Sequence, residues 1–181
     1  MGKIKSYLFV AVALCVSAFM ASCDDNKNEI SNVTTESVKG NYGGELTVGE
    51  GEPLAVSVTV GEGIVINNFP VDSIVKIAVP ASIFDEAVAS LQAREYEVGY
   101  TPEIFGQNMM LDLEPSPLAV DVEYGGSVHE IDAVLYTTKR GNFNGMSNSL
   151  SFELLLKSVS LDGEDVHIPS TLKYDFELSR N

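Results

Sequence analysis

Tryptophan is absent from this sequence, cysteine and histidine occur twice each, and only 11 lysines and arginines stand against 26 acids in 181 residues. Each shortage excludes something. Without tryptophan, a glycan platform would have to be built from the tyrosines, the next rings able to stack on a sugar. With a net charge of −15 there is no basic face to displace counterions from phosphates, which excludes nucleic acid as the partner. His129 and His167 sit apart in strand-like stretches and no Gly-x-Ser-x-Gly elbow is present, so the parts of a nucleophilic catalyst are not assembled. Seven prolines and 15 glycines are too few for a collagen-like or low-complexity chain, while 45% hydrophobic residues are too many for disorder. What is left is one domain of ordinary size.

Long apolar runs are scarce too. The longest, Tyr7 to Met20, is broken only by Ser17 and follows Lys3 and Lys5. Its fourteen residues would rise about 21 Å as a helix, short of the ~30 Å hydrocarbon core. That pattern predicts a signal-peptide core, not a transmembrane anchor. Met20-Ala21-Ser22-Cys23 then resembles a bacterial lipobox. The resemblance implies cleavage before Cys23 and acylation of that residue, giving a signal peptide at 1–22, a lipidated cysteine and flexible tether at 23–37, and a folded domain at 38–181. Cys15 would leave with the signal, so Cys23 has no disulfide partner and the domain must rely on its core. Nine basic residues would then face 26 acids. Asp24 and Asp25, directly after the cysteine, are similar to the surface-export signal of Bacteroidota lipoproteins. This implies a cell-envelope protein, anchored to the outer membrane by its lipid and exposed at the surface.

Beyond the tether, period-two alternation dominates. Leu54, Val56, Val58 and Val60 share one face, as do Leu118, Val120, Val122 and Tyr124, and Leu172, Tyr174, Phe176 and Leu178. One apolar and one polar face per strand predicts antiparallel sheet. Further strands are expected at 40–48, 64–69 and 109–114. Gly125-Gly126 should join 118–124 to a strand at about 127–138, and Asp162-Gly163 should join 150–161 to one at 164–168. Parity slips within 150–161, which predicts a bulge near Lys157-Ser158. Residues 72–96 change period: Ile83, Ala87, Val88 and Leu91 fit a helical face, Asp72 and Ser82 are candidate N-caps, and Pro80 separates two short helices. About eight strands and one or two helices make an all-β domain, a mainly antiparallel barrel or sandwich. Lys39-Gly-Asn-Tyr-Gly-Gly-Glu-Leu-Thr-Val48 and Ile66-Asn-Asn-Phe-Pro-Val71 are similar to segments of small calycin-like, uncharacterised lipoprotein domains of gut Bacteroidota, which implies the barrel.

Candidate site residues are few. The segment Lys139-Arg-Gly-Asn-Phe-Asn-Gly-Met-Ser-Asn-Ser149 reads as a binding loop, with Lys139, Arg140, Phe143 and Met146 as contacts. Tyr96 and Tyr100 are candidates for a groove, with core packing the plainer alternative. Asp72-Ser73-Ile74 is similar to the sequon at which gut Bacteroidota O-glycosylate exported proteins, which makes Ser73 a candidate acceptor. His129-x-x-Asp132 points to opposite faces of a strand, and Asp162-Gly-Glu-Asp165 lacks calcium-loop spacing, so neither metal nor cofactor is expected. The expectation is therefore a non-catalytic binding module. Its cargo would be a small apolar ligand, held by an inward set such as Val120, Val122, Leu135, Phe152 and Leu154, or else a protein partner. The alternative is an accessory subunit of a surface complex.

Overall fold

The computed structural model describes residues 32–181. The expected signal peptide, Cys23 and the first part of the expected tether lie outside the described residues. A 3-10 turn at Thr35–Val38 leads into β1 (Gly40–Val48), β2 (Leu54–Val60) and β3 (Gly63–Asn67). Two short helices follow, α1 (Asp72–Ala78) and α2 (Phe84–Ala89). Then come β4 (Tyr96–Phe105), β5 (Asn108–Pro115), β6 (Leu118–Tyr124), β7 (Ser127–Tyr136) and β8 (Gly141–Asn144). β9 (Ser149–Leu161), β10 (Glu164–Val166) and β11 (Lys173–Arg180) complete the domain.

The pairing is antiparallel throughout and closes on itself: β1-β2-β3-β4-β5-β8-β9-β11 and back to β1. This is an eight-stranded barrel, which decides between the two architectures the alternation left open. β9 is long enough to serve two sheets. Its first half lies in the barrel between β8 and β11. Its second half leaves the barrel and pairs β7 on one side and β10 on the other. β6 pairs β7 alone, so a small side sheet, β6-β7-β9-β10, extends from one end of the barrel. The bulge falls where parity slips: Val134 faces Ser158 and Leu135 faces Leu156, leaving Lys157 unpaired. α1 packs on β7 and β9 and α2 on β6, covering the inner face of the side sheet.

Both predicted two-residue hairpins form, with positive φ at Gly125 (59°) and Gly126 (77°), and at Asp162 (52°) and Gly163 (80°). Such turns match the twist of the strands they join. Neither predicted N-cap is used. Val71 and Ile83 take the cap positions without side-chain bonds. In α1 the reason is burial: Val71 is fixed in the core and its carbonyl accepts the amides of Ile74 and Val75. Asp72 then falls in the first turn, where its charge favours the helix N-terminus.

The barrel interior is packed with rings. Phe152 stacks on Phe176 at 4.3 Å between centroids, and Phe69 lies 4.8 Å from both Tyr96 and Tyr174. Tyr42, Phe143, Tyr174 and Phe176 are fully buried. Burying each such side chain contributes roughly 1.5–3 kcal/mol of transfer free energy. Barrel closure also requires close backbone approach: a Cβ on Gly44 would lie 2.2 Å from the carbonyl oxygen of Glu177 on β11.

Candidate functional site

β6 is a sheet edge. The Gly125-Gly126 turn sets Tyr124 opposite Ser127 and Val122 opposite His129, and alternation then turns the backbone amides and carbonyls of Ala119, Asp121 and Glu123 away from β7. Three side chains from α2 and the segment after it meet this edge. Arg94 donates to the carbonyl of Ala119, Ser90 Oγ accepts the amide of Glu123 at 2.8 Å, and Glu86 accepts that of Gly125 at 2.9 Å. An exposed edge is thereby pinned at three points and left open between them. In the gap is a cleft of about 310 Å³ lined by Ser90, Leu91, Gln92 and Arg94 on one side and Val120, Asp121, Glu123 and Val128 on the other. Asp121 presents its amide and carbonyl there. Its side chain stands opposite Glu130, so two acids face each other across β6 and β7.

At the tip of the side sheet three residues meet. His129 lies ring-on-ring with Tyr124, 3.9 Å between centroids and 6° from parallel. Its Nδ1 bonds Asp162 Oδ2 at 2.7 Å, while Asp162 Oδ1 accepts the amide of Glu130 at 3.0 Å. These bonds from His129 and the Glu130 amide hold the Asp162 carboxyl below the usual carboxylate range. Burial, with the Asp162 charge beside it, pushes the Tyr124 hydroxyl up. The trio ties β6 and β7 to the β9–β10 turn. No local motif links residues 33 positions apart, so sequence reading missed the pairing. Among the described residues no group of three or more His, Cys, Asp or Glu side chains is placed to hold a metal.

The residues of the predicted 139–149 loop do not converge. The segment is not a loop: Gly141–Asn144 is β8, inserted between β5 and β9, with Phe143 directed into the barrel. Arg140 is clamped by Glu103 and Asp112, each at 2.7 Å. Lys139 pairs with the buried Glu153 at 3.1 Å. Met146 alone is free, 79% exposed in the β8–β9 turn. Nor do Tyr96 and Tyr100 open a groove. Both lie on the inner face of β4, donating to the carbonyls of Ser116 and Gly61, at 2.6 and 2.8 Å. Burial raises both hydroxyls above the ordinary tyrosine range. Ser73 is half-buried in the first turn of α1. Val120, Val122, Leu135, Phe152 and Leu154 are all buried core residues, the first three in the side sheet and the last two in β9.

A family model, described as a domain of unknown function (DUF4840), matches residues 37–161, from the 3-10 turn to the end of β9. The chain belongs to this DUF4840 family. No curated protein and no solved structure matches it. The DUF4840 match ends before β11, the strand that closes the barrel on this chain.

Proposed function

We propose that this DUF4840 protein is a lipid-anchored envelope protein, acylated at Cys23, that serves as a non-catalytic binding module for an extended protein segment at the β6 edge. The observation that carries the reading is the open stretch of β6 at Asp121: an outward amide and carbonyl facing a cleft, beside a barrel interior packed with aromatic side chains. A strand laid in the cleft could pair with those groups, the recognition mode in which main-chain bonds supply affinity. Asp121, Glu123 and Glu130 would favour a segment carrying basic side chains. Ring packing inside the barrel argues for this site over an apolar ligand held by the inward residues. A role as accessory subunit of a surface complex is compatible with it, since such a subunit needs a docking edge. The lipobox and the following Asp24-Asp25 support an outer-membrane, surface-exposed location in a Bacteroidota cell.

The test is site-specific. A photo-crosslinking residue at Gln92, on the cleft wall, is expected to give a discrete adduct in the native host, and Asp121→Pro should abolish it. Proline at this outward-facing edge position removes the amide offered to the cleft, and the Asp121 carboxylate with it, while leaving the β7 ladder intact. Equal adduct yield with and without the proline would contradict the reading.

A further inference from the structure

The end of the barrel opposite the side sheet differs from the rest of the molecule. Here β4 and β5 run on past β3: pairing of β3 with β4 stops at Gly63 and Gly99, while β4 continues to Phe105. Six more residues at about 3.3 Å each carry this hairpin roughly 20 Å beyond the start of β3. At its tip Ile104 is 44% and Phe105 53% exposed. The β8–β9 turn, with Met146, lies alongside, because the Gly145 amide bonds the carbonyl of Gln107 at 2.8 Å. Three large apolar side chains thus reach solvent from two adjoining turns.

Charge is missing from the same place. In a chain with 26 acids, none falls between Ile104 and Leu111 or between Gly141 and Phe152, and neither stretch contains a base. Glu103, at the margin, shares Arg140 with Asp112, each at 2.7 Å. Two further acids, Glu36 and Glu62, share Lys39 at 2.9 Å each, near β1 and the β2–β3 turn.

The chain also enters the domain here. Val33 is buried against Gly145, where a Cβ would come within 2.3 Å of its Cγ2. Cys23 is nine residues before Asn32, and nine residues span at most about 32 Å. A lipid on Cys23 would therefore hold this end near the bilayer.

We infer that the end of the barrel bearing Ile104, Phe105 and Met146 rests on the lipid surface, its apolar side chains entering the interfacial layer. The inference rests on the reading of Cys23 as the acylated residue. Uncharged turns approach anionic headgroups without the repulsion that the acidic remainder of the molecule would meet. Aromatic and apolar side chains are at home at that depth. Tethering keeps their local concentration high, so a modest affinity per side chain is enough. The side sheet and its cleft then face away from the membrane.

Because the natural chain contains no tryptophan, a single introduced one reports its own surroundings. The full chain is prepared with Phe105→Trp or, at the other end of the barrel, Leu54→Trp, a position 48% exposed at the start of β2. Acylation of Cys23 is read by intact mass, and each protein is placed in phosphatidylethanolamine–phosphatidylglycerol vesicles with brominated acyl chains. Phe105→Trp is expected to shift its emission to the blue and lose fluorescence to the bromolipid; Leu54→Trp should do neither. Acylated protein with both tryptophans unquenched overturns the inference and leaves the anchor standing. Quenching at position 105 without acylation removes the anchor and the tethering argument and leaves only the rim's own contact with lipid standing, while no acylation and no quenching overturns both.

Discussion

Asp162 combines three demands that few residues meet: a φ of 52°, an acceptor for the Glu130 amide and a partner for His129. Asparagine keeps the first two and loses the charge. Asp162 is depressed in the folded state, so its contribution is present above the unfolded value of about 3.9 and is lost as pH falls through the folded value. Asp162→Asn should therefore lower the melting temperature at neutral pH, and the difference from wild type should shrink once pH drops below that range. Glycine positions divide by what surrounds them. Gly44→Ala sets a Cβ against the backbone of β11 and should destabilise by about 3 kcal/mol in denaturant titration. Gly61→Ala meets nothing within 4 Å and should stay within about 0.5 kcal/mol of wild type. Phe143→Ala, cutting a core ring, should lose about 3–5 kcal/mol by the same measurement. The ring looked like a loop contact because its neighbours Asn142, Asn144 and Gly145 are turn formers; only the flanking strands reveal that it points inward.

Elements were legible where one face is buried and the other wet. β2, β6 and β11 alternate, and in β9 the Lys157 bulge shows as a parity slip before any partner strand is known. β4 was hidden because Gly99 and Pro102 interrupt it and its last residues, exposed on both faces, carry no alternation. β8 was hidden by brevity: four residues including a glycine and two asparagines hold their place through β5 and β9, not through propensity. The open edge of β6 has no sequence signature at all. It exists because β9 leaves the barrel and takes β7 with it, which is a property of the pairing order. The geometry of that edge is checkable without any ligand. Asp121→Pro removes an outward amide and should leave the melting temperature close to wild type. Val120→Pro removes an amide bonded to β7 together with a buried side chain, and should unfold the side sheet, seen as loss of hydrogen-exchange protection in β6 and β7.

At the scale of the molecule, β11 matters more than its place outside the family match suggests. It bonds β1 along Tyr42–Val48 and β9 along Ser149–Leu155, so a chain ending at Val166 loses the strand that joins both edges and the rings of Tyr174 and Phe176. Such a chain is expected to show no cooperative thermal transition by circular dichroism, although it contains every residue of the family match. The two ends of the barrel differ in what they expose. Chain entry and uncharged apolar turns lie at one end; the helices and the open β6 edge lie at the other. A filled barrel that binds at its β6 edge should keep its partner and carry no small ligand. Native mass spectrometry of the full chain purified from its own host tests this most directly, with the Asp121→Pro variant beside it. The expected result is no small-molecule adduct on the released chain, and a second polypeptide that accompanies wild type and is lost with the proline. A reproducible extra mass of a few hundred daltons, carried equally by both proteins and released on denaturation, would contradict it.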